Sequence, residues 1–262
     1  MRSAGAALMV ACLALSGCAS HPGDDSGLRT ANPTTGDESS ERSRARIHTE
    51  LAANYFGIGN LGVALEEVQE ALRADRNYGP AHNVAGLVYA QLKEDRLAEE
   101  SFQRALSINP SDSDALHNYG MFLCQRKQEK EAIRQFMLAV RNPLYTTPER
   151  TYVNAGVCAR RAGDTAGANE FFTSALKIRP DQPQALYQMA DLAYARGNYG
   201  EAKGYLGRLT QVVPENAETL WLGVRVERRL GDRNSEASYA LQLRNRFPNS
   251  AEARALIAGQ YE

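Results

Sequence analysis

The feature that most limits the fold is a self-similarity that runs along most of the chain. It is clearest from Gly79 to Pro110, where GPAHNVAGLVYAQLKEDRLAEESFQRALSINP reads as two amphipathic helices around a short polar turn. Its marks are Gly86, Tyr89, Ala98, Phe102, Ala105 and Pro110. The small residue at Ala98 recurs as Ala64, Ala132, Ala168 and Ala202, at one constant interval except for a slightly longer step between Ala132 and Ala168. Pro180, Pro214 and Pro248 keep the same interval, and Pro110 stands two intervals before Pro180, with the same slight excess. A helix pair of this length cannot cover its own apolar stripe. It becomes stable only by stacking on the next pair, which excludes a single central core.

The interval is about 34 residues, the period of tetratricopeptide repeats. The chain is therefore expected to be all-α, a right-handed superhelix of about six helix-turn-helix repeats. Repeats one to four occupy 44–182, two less regular repeats occupy 183–248, and a capping helix occupies 249–262. Repeat one carries Leu51, Tyr55, Ala64, Val68 and Ala71 as its inward marks. Gly86, Gly120 and Gly156 let helices cross closely, and Phe102, Phe136 and Phe172 fill the space beside them. The prolines end second helices, because the residue before a proline is driven out of the helical region. Ser111 or Ser113 is placed to cap the first helix of repeat three. The small excess of that repeat falls in RNPLYTTP, an irregular loop whose Leu144 and Tyr145 either fold back on the array or face a partner. In repeat six the small residue slips to Ala237, while Leu243 and Pro248 keep phase. Trp221, the only tryptophan, belongs to the concave face or packs under the terminal helix.

Before the repeats, residues 1–17 read as a secretory leader, with Arg2 ahead of an apolar run from Ala4 to Leu15. That run is too short to span a bilayer. Its end, Leu15-Ser16-Gly17-Cys18, resembles a bacterial lipoprotein box in which Cys18 is acylated; the plain alternative is an ordinary leader with an incidental cysteine. Acyl chains would anchor the protein through buried methylene groups. Ala19 beside Cys18 is compatible with export to the outer membrane. Residues 18–43 are rich in Ser, Gly, Pro, Asp and Thr and are expected to form a disordered tether with a reach of about 25–30 Å.

Catalytic patterns are absent from the sequence: it has no HExxH, Walker loop, GxSxG or paired-cysteine metal motif. Gly57 to Gly62 matches GxGxxG, but these glycines close one helix and turn into the next, with no preceding strand. No cofactor, metal or small-molecule substrate is expected, and the chain is not read as an enzyme. Lys+Arg 30 against Asp+Glu 31 gives no field for nucleic acid. His82 and His117 hold near-equivalent places on adjacent first helices and read as surface or groove histidines. Cys124 and Cys158 sit on consecutive first helices and form either a disulfide or two buried thiols. What remains is a surface. Helix phase puts Asn83, Leu87, His117, Met121, Cys124, Val153, Val157 and Arg160 along a concave groove suited to a peptide or a partner helix.

Three stretches, ALHNYGMFLCQRK, NPLYTTPERTYVNAGVCARRAGD and LWLGVRVERRLGDRNSEASYALQLRNRFPNS, resemble the repeat lipoproteins of type IV pilus biogenesis, the PilF/PilW pilotin type. The resemblance covers about 45–250 and the lipoprotein start. It implies a lipid-anchored, periplasm-facing outer-membrane protein that helps the pilus secretin reach that membrane and form multimers, with the secretin subunit as partner. Another reading of the same features is a scaffold for other envelope or cell-wall machinery.

Overall fold

A computed structural model describes residues 39–261. The expected leader, Cys18 and most of the expected tether lie outside the described residues. Within them the chain forms thirteen helices and no strand. Six pairs follow one another: α1 (Ser40–Gly57) with α2 (Leu61–Ala74), α3 (Gly79–Leu92) with α4 (Asp95–Ile108), α5 (Ser113–Gln125) with α6 (Glu129–Ala139), α7 (Pro148–Arg161) with α8 (Thr165–Ile178), α9 (Pro183–Ala195) with α10 (Tyr199–Val212), and α11 (Ala217–Leu230) with α12 (Arg233–Arg246). A short α13 (Ala251–Ile257) closes the array against α11 and α12. Each helix packs on its partner, and each second helix packs on the first helix of the next pair. This is the expected tetratricopeptide superhelix.

Packing inside every pair rests on two side chains sixteen positions apart. Gly86 faces Phe102, Gly120 faces Phe136 and Gly156 faces Phe172; a Cβ at any of the three glycines would lie 2.5–2.8 Å from ring carbons. All three phenylalanines are fully buried. Where the second helix carries a smaller residue, the first can carry alanine: Ala52 with Val68 and Ala190 with Leu206, all buried. In repeat six the pair is Gly223 and Tyr239, with the ring 3.0–3.1 Å from a Cβ built at the glycine. That phase makes Ser235 the counterpart of Ala98, four positions before the large residue. Ala237, expected in that role, is exposed.

The turns inside the pairs are equally regular. Gly59, Lys93, Lys127, Gly163, Gly197 and Gly231 all have φ between 62° and 80°. In each turn the next residue donates its N–H to a carbonyl five positions back, from Asn60 to Tyr55 through Asp232 to Glu227, which closes the first helix as a Schellman motif. Asn60, Asp164 and Asp232 then cap the second helix with their side chains. The GxGxxG glycines thus serve a helix-to-helix turn, with Gly59 at the left-handed position. Second helices end where expected: Asn109, Arg179 and Val213 are extended ahead of Pro110, Pro180 and Pro214.

Three further expectations are corrected, and two open alternatives are settled. Helix α1 starts at Ser40, not at 44, because Ser39 caps it and Arg42 is held by Asp75 at 3.1 Å and by the face of Tyr78. Asp112 caps α5, accepting from the N–H groups of Asp114 and Ala115, while Ser113 instead donates to the Ala139 carbonyl. Leu51 is 38% exposed and Ala52 takes the inward place in α1. The loop after α6 divides its two apolar residues: Tyr145 folds back to accept from Thr151 at 3.1 Å, and Leu144 is 84% exposed. Trp221 packs beside Leu220, Leu243 and Ala253 and stacks on Tyr261, under the terminal helix.

Candidate protein-binding groove

First helices stand side by side, α3 between α1 and α5, and α5 beside α7. Polar side chains bridge them in a row. Asn118 donates to Asn83 at 3.1 Å, joining α3 to α5. His117 bonds Thr151 at 2.6 Å and Asn154 at 3.3 Å, joining α5 to α7. Arg160 on α7 donates to Gln188 and, at 2.8 Å, to Asp191 on α9. Asp191 in turn lies 3.8 Å from Arg225 on α11.

The His117 contacts fix its chemistry. Asn154 donates its amide N–H to Nε2, so the ring proton sits on Nδ1 and is given to Thr151. The Thr151 hydroxyl donates in turn to the Tyr145 hydroxyl. The imidazole is neutral with both nitrogens used. Burial, with a smaller contribution from Arg150, lowers its pKa to about 4. His82 bonds the Arg76 carbonyl at 3.0 Å, and burial lowers its pKa also. The two histidines have separate partners. Among the described residues no cluster of His, Cys, Asp and Glu converges as a metal site would require.

Clefts of mixed apolar and polar lining lie between these bridges. Met121, Cys124, Asn154 and Val157 line one of about 120 Å3. Val157, Arg160 and Gln188 line a second of about 330 Å3. Leu87 is half-buried beside the core formed around Phe102 and Phe136. Cys124 and Cys158 are joined as a disulfide, with Cα atoms 5.9 Å apart, tying α5 to α7 directly below the first cleft.

Of the residues placed on the groove by helix phase, Met121, Cys124, Val157 and Arg160 line its clefts. Asn83 and His117 contribute through their bridges but are themselves nearly buried, at 9% and 8% exposed. Val153 does not reach it. It is 1% exposed, in a core with Phe172, Ala185 and Met189. Four residues along a helix turn about 40° past a full revolution, which carries Val153 behind the crossing of α7 with α8 and α9. Thr151, Asn154, Gln188, Asp191 and Arg225 were missed. Their signal is in the spacing: His117 and Thr151, Asn154 and Gln188, and Asp191 and Arg225 are each separated by one full repeat.

Tetratricopeptide-repeat models match residues 49–113, 101–134 and 159–221. Over 221 residues the chain is 31% identical to the type IV pilus assembly protein PilF of Pseudomonas aeruginosa, covering 84% of this chain and 87% of that protein. The chain belongs to the PilF family. A solved structure from the functional characterisation of Pseudomonas aeruginosa PilF superimposes with a TM-score of 0.77 at 30% identity, over 84% of this chain and all of that one. The crystal structure of PilW, described as a widely conserved type IV pilus biogenesis factor, gives 0.74 at 30% identity, over 81% and 98%. As a PilF-family member the chain is a tetratricopeptide protein of type IV pilus biogenesis. No described helix is long and apolar enough to cross a membrane.

Proposed function

We propose that the chain is a non-enzymatic pilotin, a lipoprotein that helps the type IV pilus secretin reach the outer membrane and form multimers. The observation that carries this reading is the likeness to PilF over nearly the whole of both chains. The sequence around Cys18 supports a lipid anchor. The array supplies a gripping surface: clefts with apolar side chains at Met121 and Val157 alternate with the bridges of Asn154 and Arg160. Extended segments and helices bind such surfaces by seating apolar side chains and bonding between them.

The test is genetic. Deleting the gene is expected to abolish heat-stable secretin multimers and surface pili; normal levels of both would sink the proposal. Cys18→Ala is expected to leave the array folded and the secretin mislocalised. Met121→Glu combined with Val157→Glu, at partly exposed positions, is expected to keep the fold and weaken capture of the secretin from solubilised outer membranes.

A further inference from the structure

The two groove clefts run on into a third. Met121, Asn154, Val157 and Arg161 line the first, between α5 and α7, and Val157, Arg160, Arg161 and Gln188 line the second, between α7 and α9. Gln188 also borders a cleft of about 300 Å3 between α9 and α11, together with Tyr187, Pro214 and Glu218. Neighbouring clefts therefore share wall residues, Val157 and Arg161 and then Gln188. The three form one furrow across repeats three to six, with one cleft at each joint between first helices.

Uncommitted groups stand in order along this furrow. Met121, Phe136 and Val157 give the first cleft its apolar side. Arg161 is exposed where the first and second clefts meet, and Glu218 is exposed on the rim of the third; neither makes a hydrogen bond or ion pair with a described residue. The hydroxyl of half-buried Tyr187 bonds to no described residue either. Arg160, by contrast, is held by Gln188 and Asp191. Two amides between the clefts are half used. Asn154 donates to His117 and Met121 and keeps its oxygen, while Gln188 accepts from Arg160 and keeps its nitrogen. A bound helix has no interior backbone groups left for such amides, whereas an extended segment brings all of its own.

Spacing selects among extended forms. Packed helices stand about 8–10 Å apart. A polyproline II segment has three residues per turn, so every third side chain returns to one face after about 9 Å. A β-strand returns every second side chain after about 7 Å and falls out of step.

We propose that the furrow binds a segment of a partner protein, about seven residues in polyproline II conformation, with its side chains at i, i+3 and i+6 in successive clefts. The first is apolar and lies against Met121 and Val157. The second is a carboxylate on Arg161. The third is a lysine or arginine, its stem on Tyr187 and its charge on Glu218. Backbone groups between them bond to Asn154 and Gln188. This rests on the reading that the groove holds protein, and it names the chemistry of the segment held.

The experiment is fluorescence anisotropy with the full-length protein and fluorescein-labelled Leu-Ala-Pro-Glu-Ala-Pro-Lys, together with the same residues in reversed order to cover both chain directions. The tighter of the two is expected to bind at least about fivefold better than its counterpart with Gln in place of Glu and Lys, an advantage that added salt reduces. Inserting one alanine between successive anchors, which moves them to i, i+4 and i+8, is expected to abolish that advantage. Combining Arg161→Glu with Glu218→Arg is expected to reverse the preference, so that the peptide with Glu and Lys exchanged binds better, while the circular dichroism spectrum stays unchanged. Should that variant unfold, Arg161→Gln alone is to lose the advantage of Glu over Gln at the middle anchor. Equal binding of charged and uncharged peptides, tolerance of the inserted alanines, or an unchanged preference in a folded variant overturns the proposal. So does tighter binding of a helical peptide carrying the same three side chains at i, i+7 and i+14. The pilotin reading is tested by secretin multimers and pili in cells, and it stands if these peptides fail.

Discussion

Gly156 and Phe172 show how single residues set this fold. Helix propensity alone would favour alanine over glycine by about 1 kcal/mol, yet a Cβ at Gly156 would meet the Phe172 ring at 2.5–2.8 Å. Gly156→Ala is therefore expected to destabilise the protein by about 1–3 kcal/mol. Adding Phe172→Leu is expected to recover part of the loss, since Ala190 with Leu206 is the same pairing in repeat five; a double-mutant cycle by urea denaturation measures the coupling. The reverse holds at Lys93 and Lys127, which occupy left-handed backbone at φ 67° and 62°. Replacing each with glycine removes a penalty of about 1–2 kcal/mol against the entropy glycine adds to the unfolded chain. A net gain of about 0.5–1 kcal/mol per site is expected in the same assay. His117 brings a pH dependence. Its pKa is about 4 when folded and 6.5 when unperturbed, so the unfolded chain binds the extra proton between those values. Its stabilising contribution is whole above about pH 6.5 and is lost as pH falls to 4, by roughly 3 kcal/mol at most. His117→Gln is expected to flatten that part of the stability–pH curve relative to the parent.

At the scale of helices, the joint between α5 and α7 carries the strongest prediction. The disulfide from Cys124 to Cys158 bridges a sequence separation of 34, and closing a loop of that size stabilises by about 2–4 kcal/mol. Combining Cys124→Ala and Cys158→Ala is expected to cost that much, and the parent protein is expected to take up alkylating reagent at these two residues only after reduction. Helix boundaries also show what can be read from the sequence. Regular pairs were legible because glycine, alanine, phenylalanine and proline hold one phase. The start of α1 was not: SERSRAR has no apolar stripe, and its order comes from the Ser39 cap and from the distant Asp75 and Tyr78. Helix α12 was hard for a related reason. It buries only Leu243, so the place of its small residue shows only in the contact of Tyr239 with Gly223. The groove was half legible. Apolar residues such as Met121 and Val157 follow from helix phase. The bridges from His117 to Asn154 and from Arg160 to Asp191 depend on how one helix is set against the next.

At the scale of the whole molecule, stability is a sum over neighbours, and the ends matter most. Helix α13 and the tail cover Leu220, Leu243 and Trp221. A chain ending at Pro248 is expected to show red-shifted tryptophan fluorescence and a lower melting temperature, with the loss starting in repeat six. Exposed apolar surface left by such a cut favours association, so sedimentation is expected to show larger species. The disulfide has a mechanical consequence as well. A stacked solenoid stretches like a spring, each coil opening a little against the next, but one coil here is welded to its neighbour. Pulled from both ends in an optical trap, repeats three and four should leave the spring as a single unit, with the cross-linked stretch withheld from the contour length until a reductant is added. Any bending of the array must then come from the coils on either side of that weld.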